Sequence, residues 1–148
     1  ISTKLCVVSR TLDLDDTAPF LASPAGNLLV MTEHNTDPEW EHNLANLQDV
    51  AEVIVSNGDL TGAFVVEALH ARGLERILCE GGPTLMSLMM ADYVFDEIDL
   101  TLAPIIVGTT PGQPALGQVY STWHRTLVGT ANEHTFFRFT GAPLHTLQ

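Results

Sequence analysis

The chain has 148 residues, 45% of them hydrophobic and 16% charged, which fits one soluble globular domain with a real core and excludes a disordered chain. Eighteen acids against six Lys plus Arg give a formal net charge of −12, with Lys4 the only lysine and no basic cluster. Such a surface is repelled by phosphate backbones and anionic lipid, so nucleic acid and membrane are not expected partners, and no apolar run approaches the ~20 residues of a membrane span.

The chain opens at Ile1, without a methionine and in the middle of an apparent strand, from which we expect that something upstream has been removed. "KLCVVS" (4–9) is β-branched and apolar and predicts a strand; the polar "RTLDLDDT" after it predicts a loop. Ser9 and Arg10 end that strand. Arg10 is one of five arginines and stands where an anionic group could reach the sheet edge. An Arg–phosphate contact contributes ~1.5–3 kcal/mol; the plainer alternative is a solvated loop arginine. "DLDD" (13–16) invites a calcium reading that fails, because Ala18 stands where such a loop needs glycine and Pro24 where it needs the bidentate glutamate.

"NLLVMT" (27–32) predicts a second strand after the turn-like "SPAG". Pro38 and "EWEHNLANLQ" predict a short helix with acids in its first turn, where the dipole favours them. "AEVIVS" (51–56) predicts a third strand ending at "NGD". In the next helix Asp59 or Thr61 can cap, Phe64 with Ala68 and Val65 with Leu69 supply i, i+4 apolar pairs, and Gly73 ends the run. "RILCE" (76–80) is too apolar for a one-sided sheet and predicts a central strand. Strand, helix, strand, helix, strand from 51 to 107 is the signature of parallel pairing with right-handed crossovers.

Glu80, Gly81 and Gly82 then stand at the carboxyl end of a strand, where ligands bind in parallel α/β sheets. Pro83 fits the first helical turn, and the N–H groups of Gly82, Thr84 and Leu85 would point at one spot with a helix dipole behind them. That arrangement suits a phosphate. The alternative is a close-packed turn capped at Thr84. The stretch is neither a Walker loop, which needs a lysine, nor a G-x-G-x-x-G fingerprint.

Leu85, Leu88 and Met89 predict the apolar stripe of the following helix. "EIDLTLAPIIV" (97–107) predicts a strand and "GTTPGQPALG" an irregular loop, and "HRTLVGT" (124–130) with "TFFRFT" (135–140) predicts an antiparallel pair. Cys6 and Cys79 sit in apolar runs and read as small buried hydrophobes; without a cysteine pattern or a secretory segment the expected location is a reducing cytoplasm. The six histidines show no metal-ligand spacing, and no nucleophile elbow exists, so neither a metal nor a catalytic nucleophile is expected.

The run "RGLERILCEGGPTLMSLMMADYVFDEIDLTLAPIIVG" (72–108) resembles the C-terminal half of the riboflavin-pathway pyrimidine reductases, the bacterial RibD C-terminal domain family. The resemblance rests on E-G-G-P-T-L followed by D-E-x-x-L-T-x-A-P-x-x-x-G in order. "VVSRTLDLD" is similar to the family's earlier strand, and "TFFRFT" to its last. The resemblance implies a dihydrofolate-reductase-like, three-layer α/β fold with a central mixed, mostly parallel sheet and a C-terminal antiparallel hairpin. It also implies that the N-terminal part of the fold is absent, including an S-L-D-G-like strand and most of the substrate pocket, so that residues 1–148 form one domain, the C-terminal portion.

The implied activity is hydride transfer from NADPH to the ribose C1 of 5-amino-6-(5-phosphoribosylamino)uracil. Gly81, Gly82, Pro83, Thr84 and Leu85 would embrace the pyrophosphate and nicotinamide region, Ser9 and Arg10 would face the adenosine 2′-phosphate, and Glu80 would bond the substrate. The cofactor supplies the reaction and the protein orientation and electrostatics, which agrees with the lack of a placed nucleophile. A homodimer is the implied assembly. Two other readings stay open: a non-catalytic nucleotide-binding or oligomerising fragment, and a reductase of the same fold acting on another pyrimidine or a pterin.

Overall fold

The structure, a computed structural model, describes residues 3–15, 17–22, 26–105 and 123–141. The chain divides into two compact units, Ile1–Arg76 and Ile77–Gln148.

In the first unit, β1 (Leu5–Val8), β2 (Leu28–Glu33) and β3 (Glu52–Ser56) form a parallel sheet in the order β1-β2-β3. Leu5 pairs with Leu28, and Val30 with Val53. Middle strand β2 is sealed on both faces: Leu28, Leu29, Val30 and Met31 are all buried. A strand covered on both sides reads as an unbroken apolar run, as "LLVM" does. Leu28 and Val30 share one face, by the two-residue period, and join Leu12, Trp40 and Leu47 in one buried cluster.

Helix α1 (Pro38–Gln48) starts where its sequence dictates. The Asp37 carboxylate accepts the Glu39 N–H at 2.9 Å, Pro38 takes the first turn, and Glu39 and Glu41 complement the dipole. Trp40 is buried, and its indole N–H donates to the Thr32 hydroxyl at 3.3 Å. Helix α2 (Gly62–His70) is capped by Thr61, whose hydroxyl accepts the Phe64 N–H at 3.1 Å, so Thr61 and not Asp59 is the cap. Gly73, at φ +73°, closes the helix: its N–H donates to the His70 carbonyl and that of Leu74 to the Leu69 carbonyl.

The second unit holds α3 (Pro83–Ala91), β4 (Glu97–Leu102), β5 (His124–Ala131) and β6 (His134–Thr140), the strands forming an antiparallel sheet in the order β4-β6-β5. Asn132 and Glu133, at φ +49° and +67°, make the two-residue hairpin turn that the right-handed strand twist prefers. The register slips between Leu127 and Gly129, leaving a bulge. Met89 and Met90 are the buried residues of α3, a shift from the expected stripe at Leu85, Leu88 and Met89.

The largest departure concerns residues 76–80. They form no strand: the chain from 74 to 82 has no assigned regular structure, and Leu78 is 82% exposed. A strand is a property of a pair. An apolar run without a neighbouring ladder leaves its N–H and C=O groups to water and gains nothing by extending. The expected single mixed sheet is accordingly two sheets among the described residues, one parallel and one antiparallel, and β4 pairs antiparallel with β6 instead of continuing a parallel series. The α/β class and the closing hairpin stand. The strand expected over 97–107 is observed as Glu97–Leu102, and the loop expected over 108–117 lies outside the described residues.

Candidate functional site

Ser9 and Arg10 leave the C-terminal end of β1, the sheet edge at which parallel α/β proteins hold ligands. The Ser9 N–H extends the ladder to the Met31 carbonyl at 3.0 Å, and its hydroxyl accepts the Leu12 N–H at 3.1 Å. That bond tightens a turn in which Leu12, almost wholly buried, takes a left-handed φ of +56°. Ser9 therefore shapes the exit from β1.

Arg10 is held by a residue the sequence reading passed over. Its Nε lies 3.3 Å from Oε1 of Glu33, the last residue of β2. The other oxygen, Glu33 Oε2, accepts the Leu60 N–H at 2.8 Å. The carboxylate is thus clamped between the chain leaving β3 and the guanidinium leaving β1, while the Arg10 side chain remains 56% exposed. Beside it Ser56, paired with Glu33 across β2 and β3, donates its hydroxyl to the turn carbonyls of Gly58 and Asp59. The signal for Glu33 was available: a carboxylate at the end of an otherwise buried, mostly apolar run, the pattern that singled out Glu80.

Glu80 to Leu85 belong to the second unit. Gly81 and Gly82 both take positive φ, +78° and +81°, and differ in what surrounds them. A Cβ on Gly81 would stand 2.7 Å from Met86 Cγ and 3.2 Å from its Sδ, so besides its φ a side chain there would force Met86 to move. A Cβ on Gly82 would meet nothing within 4 Å, and only its backbone, φ +81° with ψ 151°, demands glycine. Gly82 opens α3 without a side-chain cap, Pro83 occupies the first turn, and the Gly82 carbonyl accepts the Met86 N–H at 3.0 Å. Glu80, Gly82, Pro83 and Thr84 are exposed, and Leu85 is half-buried. The alternative of a cap at Thr84 is not what forms, since Gly82 is the residue at the helix boundary.

Neither thiol is poised as a nucleophile. Burial pushes the Cys6 thiol up to about 11, against a smaller opposing pull from Arg72. Burial also raises the Cys79 thiol, with the Gly81 backbone bond working the other way, and its Sγ lies 4.0 Å from Met86 Sδ. Among the described residues, no group of three or more His, Cys, Asp or Glu could hold a metal ion.

Residues 2–132, a span that enters both units, match the model of the RibD C-terminal domain. A 2,5-diamino-6-ribosylamino-4(3H)-pyrimidinone 5′-phosphate reductase of Methanothermobacter thermautotrophicus is 38% identical over 66 residues, 44% of this chain and 31% of that protein. The enzyme of the same name from Archaeoglobus fulgidus is 33% identical over 69 residues, 46% of this chain and 32% of that one. The match thus spans about a third of the length of these curated relatives. A crystal structure of a pyrimidine reductase-like protein from Corynebacterium diphtheriae superposes with a TM-score of 0.81 at 28% identity, covering 93% of this chain and 60% of that one. Acinetobacter baumannii RibD shares the fold at a TM-score of 0.67 and 17% identity, over 95% of this chain and 37% of its own. With the family model matched over most of its length, the chain belongs to the RibD C-terminal domain family.

Proposed function

We propose that the chain is the C-terminal portion of an NADPH-dependent reductase of riboflavin biosynthesis, acting on a phosphoribosylaminopyrimidine. The family match over residues 2–132 carries this reading. The substrate is 5-amino-6-(5-phosphoribosylamino)uracil or the 2,5-diamino-pyrimidinone phosphate for which the two archaeal relatives are named. The bound cofactor supplies the hydride, which goes to the ribose C1 carbon.

The residues present fit such a cofactor. Gly82 offers a backbone that bears no side chain and has open space beyond it, at the start of a nine-residue helix. In our reading Gly81, Gly82, Thr84 and Leu85 turn main-chain N–H groups toward the pyrophosphate, and Pro83 fixes the turn without using a donor. Ser9 and Arg10 serve the adenosine 2′-phosphate. Glu80, an exposed carboxylate that offers two acceptor oxygens, bonds an amino or hydroxyl group of the substrate. The full-length protein, mixed with NADPH and each of the two pyrimidines, should consume NADPH with one of them. Binding of NADPH without turnover would leave a nucleotide-binding or oligomerising role, and turnover of a pterin alone would change the substrate class.

A homodimer completes the proposal. Leu100 and Leu102 of β4 and Leu127 and Val128 of β5 are all exposed, an apolar surface that favours association. Light scattering should report a dimer; a monomer at high protein concentration would refute it. Among the described residues no helix is long and apolar enough to cross a membrane. The cytoplasm is the proposed location, in keeping with two free cysteines.

A further inference from the structure

We propose that Glu33 is a specificity-determining residue, which lowers affinity for the phosphorylated dinucleotide by opposing the 2′-phosphate at Arg10. The inference rests on the reading of the β1–β3 edge as the adenosine side of a cofactor site. At the ends of parallel strands a carboxylate suits a free ribose 2′-hydroxyl and an arginine suits a 2′-phosphate. This edge has both, in contact: Arg10 Nε is 3.3 Å from Glu33 Oε1. Glu33 cannot swing aside freely, because Oε2 is tied to the Leu60 N–H at 2.8 Å and its side chain is only 27% exposed.

Two effects compete. By its ion pair Glu33 orients the guanidinium, which favours phosphate binding, but an exposed ion pair is worth at most about fivefold in an equilibrium. Against that stands repulsion. A phosphate monoester carries about 1.5–2 negative charges, and one held on the outer edge of Arg10 would lie roughly 6 Å from the Glu33 carboxylate. Even at the dielectric constant of water that repulsion is about five- to tenfold, and more where the edge is partly desolvated. Repulsion therefore wins. Glu33→Gln removes the charge at nearly constant shape. Its one amide oxygen still accepts the Leu60 N–H, and the amide nitrogen then takes the place of Oε1 beside Arg10. The ion pair is lost together with the repulsion, so the variant reads the balance of the two.

Calorimetric titration of the full-length protein and of E33Q with NADPH and with NADH tests this. NADPH should bind E33Q roughly two- to tenfold more tightly than the parent, the lost repulsion less whatever the ion pair contributed, with NADH changed by less than about twofold. Glu33→Met, of similar length and uncharged, is titrated beside it so that the comparison does not depend on one variant folding, and it should shift the NADPH to NADH ratio the same way. A parent that binds NADPH, with variants that leave the ratio unchanged or weaken NADPH, overturns the role of Glu33 alone. A parent that binds neither dinucleotide overturns the cofactor reading with it.

Discussion

Replacing Arg10 with alanine should weaken NADPH binding by roughly ten- to a hundredfold, while NADH affinity falls by less than about threefold. The figure follows from a charge-assisted Arg–phosphate contact worth ~1.5–3 kcal/mol. The neighbouring Glu33, 3.3 Å from Arg10 Nε, adds to it: with the guanidinium removed, its charge faces the 2′-phosphate without compensation. The fold should barely notice. Arg10 is more than half exposed and its ion pair lies at the surface, where such pairs contribute ~0–1 kcal/mol; Glu33 keeps its bond from the Leu60 N–H. Titration of both dinucleotides against R10A, with a melting curve on the same sample, separates binding from stability. Equal losses for NADPH and NADH would detach Arg10 from the 2′-phosphate. The Arg10 and Glu33 substitutions push NADPH affinity in opposite directions, which no general loosening of this edge could imitate.

Local chemistry made the first unit legible. "NLLVMT" announced a two-sided strand by its lack of polar alternation, Pro38 and its acids announced α1, and Gly73 announced the end of α2, because each signal is settled within a turn or two of chain. Residues 76–80 misled because their composition is that of a buried strand, yet strand formation depends on a ladder partner that composition cannot reveal. Glu33 went unread for a related reason. One residue past the expected strand "NLLVMT" it looked like the first loop residue, and its meaning appears only when Arg10 and Leu60, distant in sequence, arrive at the same sheet edge. The glycine pair was legible as a pair but not as two roles. Adjacent and identical in sequence, both need glycine for their backbone geometry, but a side chain on Gly81 would also crowd Met86, whereas one on Gly82 would meet open space.

That difference shapes the sharpest expectation for the second unit. Gly82→Ala should abolish or severely reduce cofactor binding while the fold survives. Overpacking cannot be its main cost, since the new methyl group would meet nothing within 4 Å. What remains is backbone strain at φ +81° and ψ 151°, a region almost confined to glycine, at ~1–3 kcal/mol. Met86, the residue packed against this turn, crowds Gly81 instead, so Gly81→Ala suffers a similar φ penalty plus ~1–3 kcal/mol of overpacking. The pair forms an internal control: G81A should lower the melting temperature further than G82A. If the open side of Gly82 is where the pyrophosphate approaches, the methyl group takes ligand volume, and any relief of strain redirects the N–H groups that lead into α3. Affinity for NADPH should then fall by far more than the modest melting loss of G82A would suggest. Melting curves and NADPH titrations on both variants decide it. A clear melting loss in G82A with NADPH affinity intact would mean that both glycines serve the turn into α3 and that the cofactor lies elsewhere.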